Sequence, residues 1–195
     1  MKIVLASRNL GKLKEFNYLF KNTNFELIPI SEFSDDDIEE TGTSYEENAF
    51  IKAKFASDIS GLPSLGDDSG LEVEALDGAP GIYSARYAGE KGNDLLNNNK
   101  LLQSLDLKKN RSAKFISVLS FLHPKLKNPF FSYGELHGKI IKSPMGDGGF
   151  GYDPIFQIKN SQFTLAEVDK EERMRISHRT ASSLNMINLL NEFQI

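Results

Sequence analysis

The chain has no cysteine among its 195 residues. That excludes disulfides, thiolate metal sites and a cysteine nucleophile together, and it fits a reducing compartment. Histidine is scarce, with three residues. Of these His123 and His137 read as structural, and only His178 stands in a context that suggests chemistry. No apolar run approaches the ~20 residues that would span a bilayer. The apolar start of the chain is too short for a secretory signal, so the expected location is cytoplasmic. Charge of one sign is also lacking. The formal net charge is -4, and no face is basic enough for broad binding to nucleic acid backbones. A small anionic substrate remains compatible, because a few local cations outweigh a mild global charge. Repeats, low-complexity tracts and linker-like breaks are absent.

What is present is an ordinary globular balance, 39% apolar and 26% charged, enough for a substantial core in one domain or two joined lobes. Strand and helix patterns alternate. Ile3 to Ala6 reads as a buried strand, followed by a turn over Ser7 to Gly11. A helix begins at Lys12, with Leu13, Phe16, Leu19 and Phe20 on one face. Phe25 to Ile30 reads as a strand, Ser34 to Glu40 as an acidic loop, and Tyr45 to Ile59 as a helix. Leu71 to Ala75 alternates as a strand, and Ala79 to Gly92 reads as a loop. Leu95 to Leu105 reads as helical. Lys114 to Leu122 and Phe130 to Ile141 read as long strands of a hairpin, whose Phe121 and Phe130-Phe131 region is a candidate exposed interface. Pro144 to Gly151 is a glycine loop, Pro154 to Ile158 a strand, and Ser177 to Phe193 a helix with Ala181, Leu184, Ile187 and Leu190 on one face. The interleaving predicts a layered α/β fold.

Gly66-Asp67-Asp68-Ser69-Gly70 is the most informative stretch. It reads as a turn, because an unpaired buried carboxylate is very costly. Adjacent acids of this kind suit Mg²⁺ and can supply a base for water. Ser7-x-Asn9-x-Gly11-Lys12 lies at a strand-to-helix junction, where free N–H groups and the positive helix end attract phosphate. It is not a Walker loop, since Leu13 follows the lysine. Read alone it is also an ordinary capped turn. Glu40 could reach a metal shared with the acid pair. Lys52, one turn after Asn48, is either an exposed lysine or a second phosphate contact. Phe150 and Tyr152 beside the glycines are either base-stacking faces or core aromatics. His178 and Arg179 open the last helix, where cations are disfavoured without an anion or acceptor nearby.

Taken together these motifs resemble the inosine triphosphate pyrophosphatase family. The resemblance runs through Ser7-x-Asn9-x-x-Lys12, Glu39-Glu40-Thr41-Gly42, Glu47-Asn48-Ala49 and Asp67-Asp68-Ser69-Gly70-Leu71. It continues through Gly78-Ala79-Pro80-Gly81-Ile82-Tyr83-Ser84-Ala85-Arg86-Tyr87, Gly148-Gly149-Phe150-Gly151-Tyr152-Asp153-Pro154 and Ser177-His178-Arg179. It implies one two-lobed domain over residues 1–195, with an elongated mixed sheet dividing two α/β lobes and the site in the cleft between them. It implies a homodimer that hydrolyses ITP, dITP and XTP to the monophosphate and pyrophosphate with Mg²⁺. By that resemblance Asp68 is general base and metal ligand, with Glu40 helping to hold the metal directly or through water. Asp67 has a supporting role. Ser7, Arg8, Asn9, Leu10, Gly11 and Lys12 hold phosphates with Lys52, and Ser69 contacts substrate. Phe150, Gly151, Tyr152 and Asp153 grip base and sugar. His178 and Arg179 face the 6-oxo edge. Arg173 stands where the family usually has Lys, and its planar fork is not a point donor. Two alternatives stay open: a Maf-type pyrophosphatase acting on dTTP or UTP, and a non-catalytic nucleotide binder.

Overall fold

The computed structural model describes residues 1–89 and 92–192. Phe193, the expected last helical residue, and Glu90 and Lys91 of the expected loop lie outside the described residues. Seven strands and five α-helices are found among them. In chain order they are β1 Lys2–Leu5, α1 Leu10–Phe20, β2 Glu26–Pro29, α2 Tyr45–Ser60, β3 Ser64–Val73 and β4 Pro80–Gly81. Then come α3 Asp94–Ser104, β5 Ser112–Leu122, β6 Phe130–Ile140, β7 Phe156–Ile158, α4 Lys170–Ile176 and α5 His178–Glu192. The strand order is β2-β1-β3-β5-β6-β7, with β4 on β3. β1 pairs parallel with both β2 and β3, whereas β3–β4 and β6–β7 are antiparallel. The class is therefore mixed α/β. Helix α1 makes the crossover that parallel β1 and β2 require.

The chain divides into two compact units. Of the described residues, the first comprises 1–68, 117–134 and 179–192; the second comprises 69–89, 92–116 and 135–178. In the first, Ile3, Leu5, Phe16, Phe20, Leu65, Leu119, Phe121, Met186 and Leu190 form one core. Phe16 and Phe20 come from the predicted helical face, and burying each contributes roughly 1.5–3 kcal/mol. Phe121 is fully buried and Phe130 packs on that core, so Phe121 is not an exposed interface residue. On α2 the residues at helical spacing also go inward: Ala49, Ala53 and Ala56 are buried. These small residues let the helix backbone lie against β3. A Cβ at Gly66 would stand 2.0 Å from the Ala49 carbonyl oxygen.

In the second unit Leu71, Val73, Leu101, Leu105, Phe115, Ile140, Tyr152, Ile155 and Phe156 form a separate core. The glycine loop contains no regular element before the 3₁₀ turn Asp153–Ile155. At the C-terminal end helix α4, for which there was no expectation, precedes α5; its start is marked by Asp169, whose side chain accepts from the Glu172 amide. On α5 the expected Ile187 and Leu190 are buried, but Leu184 is 52% exposed and Met186 is buried instead. Ser182 and Ser183 are buried as well, and hydropathy spacing does not register such hydroxyl-bearing side chains. No helix among the described residues is long and apolar enough to cross a membrane.

Candidate active site

The Gly66-to-Gly70 segment is not a turn but the middle of β3. Asp67 and Asp68 are 1% and 4% exposed. Burial is tolerated because both acids are paired, which offsets the cost of desolvation. Successive strand residues project to opposite faces, and each acid meets its own lysine. Asp67 Oδ2 lies 2.6 Å from Lys12 Nζ, and Asp68 Oδ1 lies 2.8 Å from Lys52 Nζ. Lys52 also donates to the Asp67 carbonyl at 3.1 Å and lies 2.7 Å from Glu40 Oε1. Asn48, one turn before Lys52 on α2, donates to Asp68 Oδ2 at 3.3 Å and accepts from the Gly42 amide at 2.8 Å. Glu40 and Asp68 thus converge on one ammonium.

At the start of α1 most side chains are engaged locally. Asn9 caps the helix, its Oδ1 accepting from the Lys12 amide at 3.1 Å. Ser7 Oγ accepts from the Asn9 amide at 3.3 Å. These are the ordinary caps that the motif allowed. Arg8 turns to the acidic loop and donates to the carbonyls of Ser34 and Asp36 at 2.7 and 2.5 Å. Leu10 is exposed and Gly11 half-buried. Lys12 carries its side chain to the buried Asp67, whereas Arg8 lies 4.0 Å from the exposed Asp35.

Three further residues complete the Asp67 surroundings and were not legible beforehand. Ser117 on β5 donates to Asp67 Oδ1 at 3.0 Å and lies 2.8 Å from Ser182 Oγ on α5. Glu15 on α1 accepts from Arg179 Nη1 at 2.8 Å. Arg179 Nε lies 3.8 Å from Asp67 Oδ2. A serine inside the apolar run Val118-Leu119 and Phe115-Ile116 is the one available signal for Ser117. Glu15 shows none, since it reads as a polar residue of an amphipathic helix.

The two neighbouring acids are driven apart electrostatically. Burial alone would raise the Asp67 carboxyl, but Lys12 and Arg179 outweigh it and hold it well below the usual carboxylate range. For Asp68 burial wins over Lys52 and Lys12, and the carboxyl is raised. Burial and the cations Lys52 and Arg179 lower Lys12, against the pull of Asp67. Burial also works against charged Lys52, yet Asp68 and Glu40 prevail and raise it. One acid is therefore a fixed anion and the other the more basic member, a division typical of acid–base sites.

Among the described residues no group of three or more His, Asp and Glu is gathered for a metal. The donor set still fits Mg²⁺, since that ion commonly takes one or two carboxylates and completes its shell with other oxygens and water. Glu40 and Asp68, already converging on Lys52 Nζ, are the oxygens that would hold it. Asp67 is committed to Lys12.

The remaining expected residues lie in the second unit. Ser69 is half-buried on β3. Tyr152 is buried in the core, and its hydroxyl donates to the Ser84 carbonyl at 2.9 Å. Burial, with Tyr87 and Asp94 nearby, raises its hydroxyl pKa well above the usual tyrosine value. Its ring therefore packs in the core. Phe150 is half-buried, and its amide donates to Asp153 Oδ2 at 3.1 Å. Arg173 on α4 reaches the glycine loop, its Nη1 3.0 Å from where a Cβ on Gly148 would stand. His178 is buried and stacks on Phe115, ring centroids 4.9 Å apart and planes at 10°.

The chain is similar to known proteins over nearly its whole length. A dITP/XTP pyrophosphatase of Geobacter sulfurreducens is 46% identical over 181 residues, covering 91% of this chain and 90% of that protein. A dITP/XTP pyrophosphatase of Haemophilus influenzae is 46% identical over 189 residues, covering 95% and 96%. The solved structure of a HAM1 protein from Coxiella burnetii superposes with a TM-score of 0.91 at 42% identity, covering 98% of this chain and 99% of that one. The Staphylococcus aureus Ham1 protein gives 0.89 at 41%, covering 99% and 100%. Residues 3–189 match the profile of the Ham1 family. With that match over nearly all its length, the chain belongs to the Ham1 family.

Proposed function

We propose that the chain hydrolyses non-canonical purine nucleoside triphosphates (ITP, dITP and XTP) to the monophosphate and pyrophosphate. The observation that carries the reading is the buried acid pair, with Asp67 Oδ2 2.6 Å from Lys12 Nζ and Asp68 Oδ1 sharing Lys52 Nζ with Glu40. Family membership and the dITP/XTP pyrophosphatase names of the relatives support it. Asp68 takes the proton from the water that attacks the α-phosphorus, and the bond to the bridging oxygen breaks as pyrophosphate leaves. A carboxylate with a raised pKa suits this proton transfer at neutral pH. Mg²⁺, when bound with the triphosphate at Asp68 and Glu40, would offset charge on the phosphates and leaving group. Lys12 and Lys52 are the cations for the phosphate chain. Asp67 keeps Lys12 charged and in place despite its burial.

His178 and Arg179 donate to the 6-oxo group of the base, and Glu15 orients the Arg179 fork. Adenine presents an amino donor there, so ATP would leave these donors unpaired; sites built this way can discriminate by about 10⁴-fold. Assembly as a cytoplasmic homodimer belongs to the same reading.

The test is pyrophosphate release from ITP, dITP, XTP, ATP, GTP, dTTP and UTP with Mg²⁺. The expected result is a high kcat/KM for the first three only, and loss of turnover in Asp68→Asn. Preference for dTTP or UTP would favour a Maf-type activity. Binding of ITP without release of pyrophosphate would favour a non-catalytic binder.

A further inference from the structure

The glycine loop is held by an element that no expectation assigned to it. Gly151 adopts φ +63, the left-handed region that favours glycine. Both of its backbone groups are taken by side chains of α3. Its amide donates to Asp94 Oδ2 at 2.7 Å, and its carbonyl accepts from Asn98 Nδ2 at 3.1 Å. Asp94 and Asn98 are four residues apart and share one helix face.

A first-turn acid on a helix is ordinary by itself. Here, however, the cap of α3 is Asn93, which accepts from the Leu96 amide at 3.1 Å. Asp94 instead takes a donor from the glycine loop, and the buried Asn98 takes the matching acceptor. On the other side of Phe150 the backbone is fixed again, its own amide bonded to Asp153 Oδ2 at 3.1 Å. The same face of the unit is tied once more by Asn97, which accepts from the Ala88 amide at 2.7 Å and donates to the Ala85 carbonyl at 3.3 Å. Tyr152 reaches Ser84 beside them. The half-buried Phe150 ring therefore stands on a backbone pinned at Phe150 and Gly151, while its neighbour Tyr152 is anchored in the core.

We propose that Asp94 and Asn98 are positioning residues that clamp Gly151 and so preset the Phe150 ring for the purine nucleoside. This rests on the reading of Phe150 to Asp153 as the nucleoside-contacting segment. Preset geometry removes an ordering cost from binding, and a site populated only part of the time binds correspondingly more weakly. The clamp does not touch the reacting atoms, so its loss falls on KM rather than on kcat.

Two measurements test it on the full chain. In ITP hydrolysis, Asp94→Ala and Asn98→Ala each raise KM by about tenfold with kcat within about twofold. Asp94→Asn, which keeps an acceptor oxygen, restores most of the loss. Independently of activity, amide hydrogen exchange at Gly151 speeds up by about tenfold or more in Asp94→Ala. Asp94 is exposed, so this variant tests the clamp even if Asn98→Ala does not fold. Faster exchange with a raised KM and Asn rescue supports the proposal. Unchanged exchange, or a fall in kcat at constant KM, overturns it. A wild-type chain that does not hydrolyse ITP refutes the proposed function instead, and the exchange experiment then judges the clamp alone.

Discussion

Replacing Asp67 by Asn removes the charge that two buried cations face. Lys12 Nζ is 2.6 Å away and Arg179 Nε 3.8 Å. Asn keeps the volume and an acceptor for Ser117, so the loss is electrostatic. Breaking a buried pair from one side costs about 3–5 kcal/mol, because the partner stays buried without compensation. For a chain of this size that corresponds to a melting temperature lower by roughly 6–20 °C. The sign with pH follows from the depressed carboxyl. Its contribution is complete above the unfolded value of about 3.9. It is lost as pH falls through the lower folded value. Calorimetry or urea unfolding from pH 7 downward should therefore show the wild-type and variant stabilities converging in acid. Adding Lys12→Met to the variant should recover part of the loss, since the stranded ammonium goes with it. A loss under about 1 kcal/mol at pH 7, or a gap that persists in acid, would refute the reasoning.

Three further outcomes are expected. The acid limb of kcat/KM for ITP should lie above the ordinary aspartate value of about 3.9, because Asp68 must be deprotonated and burial raises it; a limb at or below that value would remove Asp68 as the base. Gly66→Ala should destabilise by about 3 kcal/mol or more, read by urea unfolding, since its Cβ would meet the backbone of Ala49 and not a side chain that can move. Tyr152→Phe should cost about 1–2 kcal/mol through the lost bond to the Ser84 carbonyl and leave the KM for ITP within about twofold; a large rise in KM would restore Tyr152 as a direct substrate contact.

Much of the architecture was open to reading because it follows from local periodicity. The apolar face of α1, the small-residue face of α2 and the long strands β5 and β6 all follow repeats of 3.6 or 2 residues. Where the partner of a residue is distant in sequence, local pattern does not reveal it. The acid pair reads as a turn because its lysines, Lys12 and Lys52, lie far from it along the chain. The bonds of Arg8 to the acidic loop and the burial of Tyr152 in a core are likewise long-range. Glu15, Ser117, Ser182 and the Asp94–Asn98 clamp carried almost no local signal.

By itself, the sequence determined the α/β class and the family, since these depend on periodicity and on ordered motifs. Only the tertiary structure decided how the two acids differ. Their chemistry is identical and their positions adjacent. What separates them is desolvation and which cation each one faces, and both of those arise only once the chain has folded.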